Sequence, residues 1–205
     1  MGIFDFLFGR NNKDVTRKPS QHSSKHSASF HNDFVDIPSL GFYGQFERSP
    51  SGEWVICWSD SDEQSHRGGY RESGYGRYIL YNIFQNKVVL EGKIERPNAG
   101  SVADNGNFSI EDWHFGSELS GTFYVFSSSG NELIKKKFQA NLYNSAISPN
   151  GHFAVCQTAN SPKDDGNILS AFDVEKTQSY FPYIQLQVGL TVTHSMKIFL
   201  SSASL

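Results

Sequence analysis

A tight turn that contains a glycine occurs three times along this chain, and it limits the folds that the chain can adopt. The three copies read SPSGEWVIC, ADNGNFSI and SPNGHFAVC, with their glycines at Gly52, Gly106 and Gly151. In each copy, aromatic and aliphatic residues that suit a β-strand follow the glycine. Glycine supplies the positive φ that a tight turn between antiparallel strands requires. The pattern therefore predicts three equivalent β-hairpins.

The distances between the glycines reveal a regular period. Gly106 and Gly151 are 45 residues apart, whereas Gly52 and Gly106 are 54 apart. A second hairpin pattern begins 26, 16 and 17 residues after the turn glycine in the three copies, so the first copy carries about ten extra residues, within 59–76. Without this insertion the period is about 45 residues, with four strands in each unit. Such a unit is typical of a β-propeller blade.

The repeats resemble the blades of bacterial TolB-like and WD-repeat-like propeller proteins, over roughly residues 40–202. Blades of that family often read Ser-Pro-Asp-Gly, a spacer and an apolar strand, and they carry Asp-centred turns such as AFDVEKTQSY at 171–180. The Trp-Asp pairs of true WD repeats are missing here. The resemblance implies an all-β fold of three to four four-stranded antiparallel blade-like repeats, a partial β-propeller. A β-sandwich with irregular hairpins is the alternative.

Composition divides the chain into three parts. The N-terminal tip is apolar, and the segment after it is rich in Ser, His, Lys and Asn, so it is predicted to be a flexible linker because it buries too little apolar surface. The predicted parts are the tip at 1–9, the linker at 10–38 and a propeller-like β domain at 39–205, with repeats at about 39–94, 95–138 and 139–184 and a partial repeat at 185–205.

The period places a fourth turn near residue 196, where the sequence has no glycine, and the sequence ends at Leu205. Three expectations follow from this incomplete unit. The N-terminal segment completes the fourth blade, two chains associate through an open blade edge as a homo-oligomer, or the chain is a truncated form of a longer propeller protein.

The ten-residue insertion is the main candidate for recognition, because long decorated loops on a rigid scaffold often bind partners. The equivalent loop of the third repeat carries a second acidic pair. The alternatives are a solvated insertion and, for the acidic pair, a simple turn. A calcium site at Asp60, Asp62 and Glu63 is a weaker hypothesis, because the twelve-residue calcium-loop pattern is absent. The candidate binding residues are Asp60, Asp62, Glu63, His66, Arg67, Tyr70, Arg71, Tyr75, Asp164 and Asp165.

An enzymatic hypothesis rests on the sequence IEDWHF. Glu111, Asp112 and His114 are residue types that perform acid–base chemistry, which would indicate a hydrolase or lyase with its site on one rim. The alternative is a strand end with Trp113 in the core. Nucleophile-elbow, phosphate-loop and dinucleotide motifs are absent, so no catalytic residue, cofactor or metal ion is predicted.

Charge and hydropathy restrict the function further. The net charge is −3 and the sequence pI is about 6.1, so we expect no nucleic-acid partner. No apolar run approaches the length of a membrane span and no signal peptide is recognised, which predicts a cytoplasmic protein without stable membrane insertion. We expect a non-catalytic scaffold that presents loops to a protein partner. An immunity-type protein that covers a basic toxin is one form of this hypothesis, and a non-functional remnant of a longer propeller protein is an alternative.

Overall fold

The computed structural model describes residues 20–21, 26–61, 71–116, 119–176 and 186–187. Within these ranges the chain is all-β, and its one helix is a short 3-10 turn at Pro38–Leu40. The strands are β1 (Ser20–Gln21), β2 (Ser29–His31), β3 (Phe34–Ile37), β4 (Phe42–Arg48), β5 (Trp54–Ser59), β6 (Gly76–Asn82), β7 (Lys87–Ile94), β8 (Pro97–Val102), β9 (Phe108–Trp113), β10 (Gly121–Phe126), β11 (Glu132–Phe138), β12 (Leu142–Ile147), β13 (Phe153–Thr158), β14 (Ile168–Asp173) and β15 (Leu186–Gln187).

The strands form three antiparallel sheets, each built on four consecutive strands. The first sheet has the order β1-β7-β6-β5-β4-β3-β2, the second β11-β10-β9-β8, and the third β12-β13-β14-β15. Strands β4, β8 and β12 are the first of four consecutive strands in each sheet, β4–β7, β8–β11 and β12–β15, and they lie side by side. We call them the inner strands, because they bring the three sheets into contact with one another. The predicted all-β fold of blade-like repeats is confirmed.

The repeated turns have one geometry. Gly52, Gly106 and Gly151 have φ values of +74°, +79° and +76°. In each turn the glycine N–H donates to the carbonyl oxygen three residues before it, over 2.9, 3.0 and 2.9 Å. The short sequence motif therefore specifies the same local structure in all three sheets.

Hydrogen bonds join these turns to one another at one rim of the sheets. The backbone N–H of Ser51 donates to Asp104 Oδ1 over 2.8 Å, and the N–H of Asp104 donates to the carbonyl oxygen of Pro149 over 2.8 Å. The three residues belong to the first, second and third turn, so the chain of bonds fixes the spacing of the sheets at this rim.

Apolar clusters hold neighbouring sheets together. Between the first and second sheets, the rings of Tyr78, Phe108 and Phe126 lie with their centroids 5.4–5.8 Å apart. Between the second and third sheets, Phe123 packs in a cluster that includes Cys156. Cys57 and Cys156 are both buried free thiols, as expected for small core side chains at equivalent positions.

The predicted linker needs correction. Its last part forms β2 and β3, which extend the first sheet beyond β4. Val35 and Ile37 are fully buried and belong to the same apolar cluster as Val55 and Ile79 of the first sheet. These two residues alternate with the less buried Phe34 and Asp36, which is the period of a half-buried strand. The polar composition of the segment 10–38 as a whole obscures this short apolar run.

The expectations about the fourth repeat, the N-terminal tip and the association of two chains depend on segments that the structure describes only in part. In the described part of the chain, the N-terminal strands join the first sheet and build no fourth one. The apolar tip at 1–9 and most of the partial repeat, at 188–205, lie outside the described residues. Association of two chains through an open edge stays a prediction.

Candidate functional site

The insertion predicted to bind partners is fixed at both of its described ends. Asp60 and Arg71 form an ion pair, and Arg71 also donates to the carbonyl oxygen of Glu95. The Arg96 Nε donates to Asp60 Oδ2 over 3.1 Å. The ring of Phe115 lies under both guanidinium groups, 4.8 Å from the Cζ of Arg71 and 5.6 Å from that of Arg96. We call Asp60, Arg71, Arg96 and Phe115 the loop anchor.

The charged side chains of the loop anchor pair with one another. The Arg71 side chain is only 1% exposed, so it presents no surface to a partner. Tyr75, at the end of the insertion, is 44% exposed. The remaining candidates of this loop lie outside the described residues: Asp62, Glu63, His66, Arg67 and Tyr70. Recognition by this loop stays a prediction, while Asp60 and Arg71 position its ends.

The acidic pair in the third repeat forms a turn of its own. Asp165 Oδ2 accepts the backbone N–H of Gln139 over 2.7 Å, and its carbonyl oxygen accepts the hydroxyl of Thr158. Asp164 is exposed. The contacts of Asp165 secure the turn to the start of the third repeat, which favours the structural alternative for this residue. None of these contacts of Asp165 involves a residue of the loop anchor.

The residues of the enzymatic hypothesis are separated by the alternation of strand β9. Glu111 and Asp112 are adjacent, so their side chains leave opposite faces of the sheet. Asp112 accepts the backbone N–H groups of Arg96 and Glu95 over 2.7 and 3.4 Å. Burial raises the pKa of Asp112 to about 6. The ring of His114 lies between two hydroxyl groups, each 2.9 Å away. The two carboxylates therefore do not form a dyad.

The inner strands line a groove of about 580 Å³ that the sequence did not indicate. All three sheets contribute to it. We call it the inner-strand groove, and its polar and aromatic lining includes Glu47, Trp58, Asn98, Glu111, Tyr143 and Asn144.

Glu111 is the most unusual group of this groove. The residue is 1% exposed, and Oε2 accepts the indole N–H of Trp113 over 3.3 Å. Oε1 is buried and has no hydrogen-bond partner among the described residues. Burial raises the pKa of Glu111, although the neighbouring Ser145 hydroxyl favours the charged form. Buried polar atoms without partners are uncommon in proteins, so each of them calls for an explanation.

The sequence identified Glu111 but grouped it with Asp112 and His114, and the structure does not bring the two carboxylates together. Strand alternation alone separates it from Asp112. The inner-strand groove itself carries no local signal, because its lining comes from strands of all three repeats. Within the described ranges, no three His, Cys, Asp or Glu side chains are grouped to hold a metal ion. None of the helical structure found there is long and apolar enough to cross a membrane.

Comparisons with known proteins show only distant similarity. No family model matches the chain, and no curated protein matches it. Similar solved structures include the periplasmic gluconolactonase PpgL of Pseudomonas aeruginosa, with a TM-score of 0.43 and 9% identity over 76% of this chain and 49% of that one. A mitotic checkpoint complex has a TM-score of 0.43 and 8% identity, over 91% and 61% of the two chains. A hydrazine synthase of Kuenenia stuttgartiensis has a TM-score of 0.36 and 11% identity, over 82% and 66%.

The chain spans about half to two thirds of the length of these three proteins. At this level of similarity their activities and partners carry no argument for this chain. The propeller-like description rests instead on the three sheets and their repeated turns.

Proposed function

We propose that this chain is a non-catalytic binding scaffold, and that its inner-strand groove holds a segment of a protein partner. The observation that carries the proposal is the groove itself, about 580 Å³ in volume and lined by all three sheets. This volume lies within the range of pockets that hold a small molecule or a few side chains.

The lining suits recognition of a polypeptide. Tyr143 is 57% exposed although it belongs to an inner strand, and tyrosine is a frequent anchor of protein interfaces. Asn98 and Asn144 add side-chain amides, which both donate and accept hydrogen bonds. Because these residues lie on strands rather than on loops, they hold their positions before a partner arrives.

The long insertion is a second element of the proposal. Its ends are held by the loop anchor, and Tyr75 is exposed beside them. An immunity-type role, in which the scaffold covers a basic toxin, belongs to this proposal and is supported by the net charge of −3.

Site-specific photo-crosslinking in the native cell tests the proposal. A photo-reactive phenylalanine replaces Tyr143 in the groove or, as a matched control, Phe84, which is 72% exposed in the β6–β7 hairpin. We expect position 143 to capture one protein partner at least about fivefold more efficiently than position 84, because interface contacts are local. The same proteins captured equally from both positions would contradict the proposal.

A substitution then measures the contribution of the groove. Tyr143→Ala is expected to weaken affinity for the captured partner about tenfold, whereas Phe84→Ala leaves it unchanged. Isothermal titration with the purified partner provides the measurement. Equal affinities for the two variants would place the interface elsewhere on the surface.

A further inference from the structure

We propose that the inner-strand groove receives a positively charged side chain of the partner, arginine in preference to lysine, and that the Glu111 carboxylate binds it. The inference rests on the proposed function, because it names the chemical group that the groove recognises.

The first argument is the unpartnered oxygen of Glu111. Oε1 is buried and has no hydrogen-bond partner among the described residues, and Glu111 is one of the residues that line the groove. A carboxylate oxygen only accepts hydrogen bonds, so the group that completes it must donate. Charged donors form the strongest hydrogen bonds to carboxylates, and a buried carboxylate gains most from a cation.

The second argument is the direction of the charges around the groove. Arg48 lines the groove, but its guanidinium lies over the rings of Phe30 and Phe46, 4.5 and 5.2 Å from their centroids, on the outer face of the first sheet. Glu47 precedes it in β4, so it leaves the opposite face, toward the second sheet. The groove is therefore lined by two acidic groups, Glu47 and Glu111, while the guanidinium of Arg48 stacks on aromatic rings of the opposite face.

The third argument distinguishes an amino-acid residue from a simple cation. The indole Nε1 of Trp58 is a buried donor without a hydrogen-bond partner among the described residues, and Trp58 also lines the groove. A residue of a polypeptide brings both a cationic side chain and a backbone carbonyl oxygen, so it supplies a donor and an acceptor together. An inorganic cation supplies no acceptor.

Aromatic side chains favour arginine over lysine. Trp58 and Tyr143 both line the groove. A planar guanidinium stacks on aromatic rings and forks onto a carboxylate, whereas an ammonium group is more strongly hydrated. We therefore expect the order arginine, then lysine, then any neutral analogue.

Three pentapeptides test the proposal on the full chain, each with four glycines and a central arginine, lysine or citrulline. Citrulline has nearly the shape of arginine but no charge. Binding is followed by ¹⁵N NMR of the Trp58 indole N–H and the Ser145 amide. We expect the arginine peptide to bind at least about tenfold more tightly than the citrulline peptide, with the lysine peptide between them.

Glu111→Gln identifies the residue responsible. This variant is expected to reduce the ratio between arginine and citrulline affinities to about one, because it removes the charge and keeps the shape. The matched control is Glu132→Gln, an exposed residue of the outer strand β11, which should keep the ratio of the unmodified protein.

A measurement on the unmodified protein covers the case in which Glu111→Gln does not fold. Protonation of Glu111 abolishes its attraction for a cation, so the preference for arginine over citrulline should disappear as pH falls. A preference that persists after Glu111 has been protonated, as followed by carboxyl ¹³C NMR, would overturn the proposal.

Two further outcomes would overturn this inference without touching the proposed function. They are equal affinities for the arginine and citrulline peptides, and no binding of any peptide up to about 10 mM. Crosslinking from position 143 reports on the scaffold function independently, since it requires no assumption about charge.

Discussion

The two sides of strand β9 give neighbouring carboxyl groups opposite surroundings. On the side of the first sheet, Asp112 is buried and accepts two backbone N–H groups. On the side of the third sheet, Glu111 is equally buried, but one of its oxygens has no partner among the described residues. Both carboxyl groups are thus buried. Glu111 is the candidate for binding a ligand, because one of its oxygens lacks a hydrogen-bond partner, whereas the hydrogen bonds of Asp112 indicate a structural role.

The same contrast extends to the surroundings of the two groups. Beside Asp112, the loop anchor neutralises Asp60 with Arg71 and Arg96. Beside Glu111 lies the inner-strand groove. Charged residues at the two ends of the insertion therefore form ion pairs with one another and with Arg96, whereas the polar groove lies where strands from all three sheets meet.

Arg71→Ala tests the loop anchor, which lies beside Asp112, and it has the largest expected effect. It removes a buried cation from the loop anchor, and we expect it to lower the free energy of unfolding by about 4 kcal/mol, as for other broken buried ion pairs. Urea denaturation measures the loss. Lys137→Ala, at an exposed position of β11, is the control and should change stability by less than about 0.5 kcal/mol. Losses of equal size would show that the anchor contributes nothing to stability.

The pH dependence of stability tests Asp112. Its pKa is raised from 3.8 to about 6 in the folded protein, so between these values the folded state binds more protons than the unfolded state. Its contribution to stability is therefore complete below pH 4 and decreases by about 3 kcal/mol as pH rises to about 6. Urea titrations across this range provide the measurement. Asp112→Asn should flatten the profile, and an unchanged slope would contradict the assignment.

Glu111→Gln gives the smallest expected effect, and it has the opposite sign to Arg71→Ala. Burial raises the pKa of Glu111, which means that its charged form costs stability at neutral pH. A neutral isostere should raise the free energy of unfolding at pH 8 by on the order of 1 kcal/mol. A loss of stability would mean that the Glu111 charge has a stabilising partner, and the contrast between the two sides of β9 would disappear.

Much of the fold was predictable because it depends on short local patterns. The turn around Gly151 and its two relatives specified three hairpins, and the period revealed the long insertion between β5 and β6. The strands β2 and β3 were missed, because only the alternation around Val35 and Ile37 marks them within a polar segment.

The candidate site was less predictable. Alternation along β9 was sufficient to separate Glu111 from Asp112, but it could not show which of them lacks a partner. The donors to Asp112 are backbone groups of Glu95 and Arg96, at the start of the second repeat. Ser145, which lies beside Glu111, comes from the third. Such partners are set by the packing of sheets, which no local pattern records.

The sequence by itself determined the three repeated turns, their geometry and the burial of both cysteines. These features follow from glycine's access to positive φ and from the alternation of apolar residues, which act over a few positions. Only the tertiary structure decided that the charged insertion is anchored internally, that the N-terminal strands extend the first sheet at its edges, and that one oxygen of Glu111 lacks a partner. Each of these depends on atoms brought together from distant segments, where burial and hydrogen bonding are decided jointly.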